Sequence, residues 1–144
     1  MKQRLTIMVE RGKGKNNYAC FSLEKIGTYC PAGYGSTARE AVEDLETSIE
    51  EMRSLAAERG QSFPEEVEME LRFDLGAFFN YYPLDTTAVA RYIGMNPSVL
   101  RQYATALRQP RPAQLEKIRH GINQLAHDLG SWRFAEKRAS LAAE

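Results

Sequence analysis

The sequence predicts an α+β protein in two parts: a β-β-β-α-β domain over residues 1–75 and an all-α domain over residues 85–144, joined by an aromatic hinge at 76–84. Three observations carry this prediction. Apolar residues alternate with polar ones near the N-terminus and again just before residue 75, they recur at helical spacing elsewhere, and the charge divides unequally between the two parts. A chain of 144 residues that is 43% hydrophobic can bury one core or two small ones.

Strand one is expected from Leu5, Ile7 and Val9, whose spacing of two is that of a half-buried strand ending at Arg11. The run Gly12-Lys13-Gly14-Lys15-Asn16-Asn17 is turn chemistry. It is not a phosphate-binding loop, because a second strand, Tyr18 to Leu23, follows it where such a loop needs a helix. A third short strand is expected near Thr28 to Cys30. The two cysteines, Cys20 and Cys30, are expected as reduced thiols.

Thr37 followed by Glu40 matches a capping box, and Ala41, Leu45, Ile49, Met52 and Leu55 continue at helical spacing, so a long amphipathic helix is expected from Thr37 to about Glu58. Capping accounts for the Gly33-x-Gly35-Ser36-Thr37 entry without a bound anion. After Pro64, Val67, Met69, Leu71, Phe73 and Leu75 alternate with Glu68, Glu70, Arg72 and Asp74, which is a fourth strand. The aromatics Phe78, Phe79, Tyr81 and Tyr82 could stack on bases, but a packed hinge explains them more simply.

In the second part, with Thr86 as position one, Ala90, Gly94 and Leu100 stand at positions five, nine and fifteen of a helix-turn-helix. Each residue type has a reason. Ala90 lets the second helix approach, Gly94 permits the left-handed turn, and Leu100 anchors the second helix in a core shared with Val89, Ile93 and Tyr103. Asn96 is a favoured N-cap and Pro97 a favoured first helical residue, so the second helix starts at Pro97; Pro110 and Pro112 are expected to end it. Its outward side chains, Ser98, Arg101, Gln102 and Thr105, can hydrogen-bond base edges or phosphates in a major groove. Thr86 and Asn96 at the two helix starts join this DNA-contacting set, and Arg91, Arg108 and Arg111 are assigned to phosphates.

The charge pattern fits this assignment. Residues 1–80 carry 10 Lys and Arg against 14 Asp and Glu, whereas residues 81–144 carry 9 against 5. A last helix from Pro112 places Leu115, Ile118, Ile122, Leu125, Leu129 and Trp132 on a heptad seam, and Ile122, Leu125, Leu129 and Trp132 are its candidate dimer interface. His120 and His127 lack a zinc-type spacing, and no metal or cofactor is expected. No apolar run approaches the roughly 20 residues a membrane helix needs, nor is there a signal-type block after Met1-Lys2-Gln3-Arg4, so a cytoplasmic location is expected.

With these elements placed, "YACFSLEKIG" with "GYGSTAREAVEDLETSIEEM", and "LDTTAVARYIGMNPSVLRQYATALRQPRPAQLEKI", resemble a HicB-type antitoxin of a bacterial toxin-antitoxin pair that carries a lambda-repressor-like helix-turn-helix. The chain departs from that family at Lys25-Ile26-Gly27, where Pro-Gly is usual, and at Ala106-Leu107, where a glycine is common. The resemblance implies a partial RNase H-like fold without nuclease activity, a small basic HicA-like ribonuclease toxin as partner, and repression of the shared operon. Absence of catalysis is also expected from the residues: mid-strand one offers Thr6, Ile7 and Met8 where a metal-binding carboxylate is needed, Glu10 lies at its end, and Asp74 and the helix glutamates show no arrangement that forces convergence. Residues 36–70 carry 11 acidic against 3 basic side chains, and Glu43, Glu46 and Glu50 are the candidate toxin-facing residues. The alternative is a stand-alone dimeric regulator whose first domain senses a ligand or only oligomerises; an RNA-binding or nuclease role is a weaker third reading.

Overall fold

The computed structural model describes residues 1–135; the last nine residues of the expected second domain, 136–144, lie outside the described residues. The protein is α+β, with four strands and five helices among the described residues: β1 (Lys2–Arg11), β2 (Tyr18–Ser22), β3 (Ala32–Gly35), α1 (Ala38–Glu58), β4 (Glu66–Phe73), α2 (Leu75–Tyr81), α3 (Thr86–Ile93), α4 (Pro97–Ala104) and α5 (Pro112–Leu129). The sheet runs β3-β2-β1-β4. β1 pairs antiparallel with β2 and parallel with β4, so α1 is the crossover that returns the chain to the same sheet.

The alternation of β1 decides which face is covered. Leu5, Ile7 and Val9 are fully buried beneath α1 and meet Ala41, Val42, Leu45 and Ile49 in one cluster, to which β2 adds Tyr18 and Cys20. Burial pushes the Cys20 thiol up to about 11, with the Asp44 carboxylate adding to the effect, and its Sγ donates to the Ala41 carbonyl at 3.0 Å. Thr37 caps α1 by accepting from the Glu40 N–H at 3.1 Å. The Glu40 carboxylate reaches back one residue further than a standard capping box, to the N–H of Ser36 at 2.9 Å.

Two elements differ from expectation. The third strand lies at Ala32–Gly35, not near Thr28 to Cys30, where Ile26 and Tyr29 form only an isolated bridge. Gly33 is the reason: a Cβ there would overlap the Ala41 carbonyl and stand 2.5 Å from the Leu45 backbone nitrogen, so this segment can press against α1 as no larger residue could. The second difference is α2, which occupies most of the expected hinge. Asp74 caps it by accepting from Ala77 N–H at 2.8 Å, and Phe73, Phe78, Tyr81 and Tyr82 pack edge-on or tilted at centroid distances of 5.0–6.0 Å.

A second buried cluster holds Val89, Ala90, Leu100 and Ile118, with Leu75 and Phe79 reaching it from α2. α2 therefore contributes to both cores. No helix among the described residues is long and apolar enough to cross a membrane.

Candidate nucleic-acid interface

α3 and α4 are joined by a three-residue turn whose shape each residue dictates. Asp85 caps α3 by accepting from Thr87 N–H at 2.8 Å, and Gly94 ends it with φ at 78°, a conformation costly for any residue with a Cβ. Asn96 then accepts from Ser98 N–H at 2.8 Å and Pro97 opens α4, so the second helix begins abruptly. Ala90 and Leu100 are fully buried between the two helices. From the far side α5 closes the cluster at Gly121, where a Cβ would collide with Ile93, and Lys117 Nζ donates to the Gly94 carbonyl at 3.2 Å, fixing the turn to α5.

Arg101, Thr105, Ser98 and Gln102 fall within about 100° of the α4 circumference, opposite Leu100 and Ala104. Ser98, Arg101 and Thr105 are exposed, and Gln102 is half-buried. Arg101 is not free to sweep: its Nη1 donates to Thr87 Oγ1 at 3.1 Å, which ties α4 to α3. The Thr105 hydroxyl donates to the Arg101 carbonyl at 2.9 Å and so completes the end of α4, just as Asn96 completes its start. These two residues shape the helix; Ser98, Arg101 and Gln102 are its outward polar groups.

α4 ends at Ala104, several residues before Pro110 and Pro112, which therefore do not terminate it. Termination comes from Ala106, whose φ is 64°, a left-handed conformation that cannot continue the helix. Pro112 instead opens α5. The arginines lie around α4 in two groups. Thr86, Arg101 and Thr105 line a groove of about 280 Å³ with Arg11, Tyr18 and Asn80, whereas Arg108 and Arg111 border a separate cleft with Val99 and Tyr103. Arg91 is exposed on α3. Among the described residues, none of Arg91, Arg101, Arg108 and Arg111 has a carboxylate within salt-bridge distance, so none of those residues neutralises their charge.

Sequence reasoning missed Thr87, Arg11 and Lys117. Thr87 stands beside Thr86 at a helix start and carried a readable signal; Arg11 and Lys117 act across long sequence separations that no local pattern reveals.

The other expected surfaces are also placed. Glu43, Glu46 and Glu50 are exposed on one stripe of α1, where Glu50 pairs with Arg53 at 3.3 Å and Glu46 borders a small groove with Val67 and Met69. On α5, Ile122 and Leu125 pack into the chain's own second core, while Leu129 stays exposed at the helix end and Trp132 lies beyond it, edge-on to Phe134 at 4.4 Å. Among the described residues no group of three or more His, Cys, Asp and Glu side chains is placed to hold a metal ion. In comparisons with protein families, characterised proteins and solved structures, nothing matches the chain.

Proposed function

We propose that the chain is a HicB-type antitoxin and autorepressor, in which α3 and α4 form a helix-turn-helix that reads operator DNA and the sheet-bearing half neutralises a small basic ribonuclease toxin. The observation that carries the DNA-binding reading is the pair of short helices held at a capped turn, the second presenting Ser98, Arg101 and Gln102 outward beside arginines that have no ion-pair partner among the described residues. Phosphate contacts from Arg91, Arg108 and Arg111 would set position, and α4 would supply base contacts. Two such copies would read a palindrome, each taking a half-site.

The toxin-binding reading is supported by the acidic stripe of Glu43, Glu46 and Glu50 on a helix that covers one face of a four-stranded mixed sheet, the layout a partial RNase H-like fold requires. A basic RNA-binding protein meeting that stripe loses its phosphate-binding surface. The experiment is a titration of the full chain against the DNA upstream of its own reading frame. Arg101→Ala and Gln102→Ala are each expected to cost about 1–3 kcal/mol of affinity while leaving the fold intact. Unchanged affinity in both overturns the docking. Co-expression with the neighbouring small basic protein tests the second activity: Glu43→Lys with Glu46→Lys is expected to release RNA cleavage, and sustained protection would reject the acidic stripe as the binding surface.

A further inference from the structure

The two edges of the sheet are unequal. β3 is four residues long, and the outward N–H of Tyr34 on that edge is already taken, donating to the Asp44 carboxylate of α1 at 2.9 Å. β4 is eight residues long, and among the described residues no strand lies beyond it. The phase of its free groups follows from one bond. Asp74 N–H donates to the Val9 carbonyl at 3.1 Å, so in the parallel ladder the even-numbered residues of β4 bond to β1, and the N–H and C=O groups of Val67, Met69, Leu71 and Phe73 point outward.

The side chains of those same four residues are incompletely covered. Leu5, Ile7 and Val9 on the neighbouring strand are 0% exposed, but Val67, Met69, Leu71 and Phe73, on the same face of the sheet, are all only half-buried, because α1 packs mainly over β3 and β2 and leaves the β4 edge partly uncovered. An apolar stripe and a row of unpaired backbone groups thus coincide on one edge.

We infer that this edge takes a second copy of the chain, β4 pairing antiparallel with β4 about a two-fold axis at Leu71. Charge selects that register. Centred on Leu71, each Glu70 faces Arg72 of the partner, in the non-hydrogen-bonded positions where side chains approach closest. Centred on Met69, Glu68 would face Glu70, and like charges directly opposite destabilise a pair. On the other face the same register sets Leu71 against Leu71 and Met69 against Phe73, with the outward backbone groups in hydrogen-bonding phase. The next residues out, Glu68 and Asp74, face each other in this register, but each carboxylate is compensated within its own chain: Glu68 by Lys2 at 2.9 Å and Arg4 at 3.4 Å, and Asp74 by the N–H groups of Arg11 and Ala77. Within one chain Glu70 and Arg72 pair at 3.4 Å, and their partners would be exchanged between copies. This pairing does not rest on the reading of α4 as a DNA-binding element.

The test uses the full chain in analytical ultracentrifugation, without DNA. Glu70→Arg and Arg72→Glu are solvent-exposed changes that leave both buried clusters intact, which circular dichroism verifies. Each alone sets like charges opposite at two positions and is expected to weaken the homodimer about tenfold or more. The two variants mixed restore opposite charges at both positions, and wild-type affinity is expected to return. Hydrogen exchange at Met69, Leu71 and Phe73 should slow in the dimer and quicken in either variant alone. A wild-type chain that stays monomeric at the highest concentration reached overturns the inference. So does a dimer that both variants leave untouched, which would assign pairing to another surface such as that of Leu129 and Trp132.

Discussion

The guanidinium of Arg11, at the end of β1, donates to the carbonyl of Ala104, the last residue of α4, at 3.0 Å. A cation thereby sits at the negative end of a helix from the other half of the chain. Gly76 fits beneath this bond, since a Cβ there would come within 2.8 Å of Arg11 Cδ and 2.9 Å of the Ala104 oxygen.

Arg11→Met keeps the side chain's apolar stem and removes its donor. The expected cost is about 1.5–3 kcal/mol, the range for a hydrogen bond to a charged group, read as a lower denaturation midpoint. A midpoint unchanged from wild type would show that the junction holds without it.

Gly121→Ala inserts a methyl group where Ile93 already lies. Helix propensity alone favours alanine by about 1 kcal/mol, but overpacking costs about 1–3 kcal/mol, so net destabilisation is expected. The double variant with Ile93→Val should recover part of the loss in thermal melts. If Gly121→Ala proves more stable than wild type, the close approach of α3 and α5 is wrong.

Ala106→Gly should stabilise the protein. The left-handed conformation at φ 64° costs alanine about 1–2 kcal/mol, and the added freedom of glycine in the unfolded chain returns roughly half of that. A melting temperature that falls would refute the assignment of this residue as the end of α4.

Acid sensitivity should trace to named carboxylates. Hydrogen bonding and charge from Lys2, joined by the charge of Arg4, hold Glu68 below the ordinary glutamate value of 4.5, and bonds from Ser36 do the same to Glu40. A lowered value means the folded state prefers the ionised form. The stabilisation is thus complete above 4.5 and is lost as the pH falls through the lower folded value. Glu68→Gln is expected to lower the melting temperature at neutral pH and to converge with wild type in acid; a gap that persists in acid would contradict this linkage.

Elements with local signals were legible in the sequence. α1 announced itself through Thr37, Glu40 and the spacing of Ala41, Leu45 and Ile49, and the turn between α3 and α4 through Gly94, Asn96 and Pro97. β3 was misplaced because Ala32-Gly33-Tyr34-Gly35 is chosen for close contact with α1, and glycines that serve a neighbour carry no strand propensity. α2 was hidden because its apolar residues serve two cores, so no single periodic face appears. At the candidate interface, the outward set on α4 could be read from residue types and spacing. The tie from Arg101 to Thr87 and the reach of Arg11 depend on how helices and strands meet, which no window of sequence contains.

The bond from Tyr34 N–H to Asp44 bears on how far assembly can go. A sheet open at both edges can recruit one molecule after another and polymerise without limit. Here the short edge offers a newcomer only four residues, and the outward N–H of Tyr34 among them is already taken, with a carboxylate standing in front of it. Strand addition is favoured on the β4 side, and two molecules joined there leave no second β4 edge. A pair formed at β4 would therefore be closed to further strand addition along that edge.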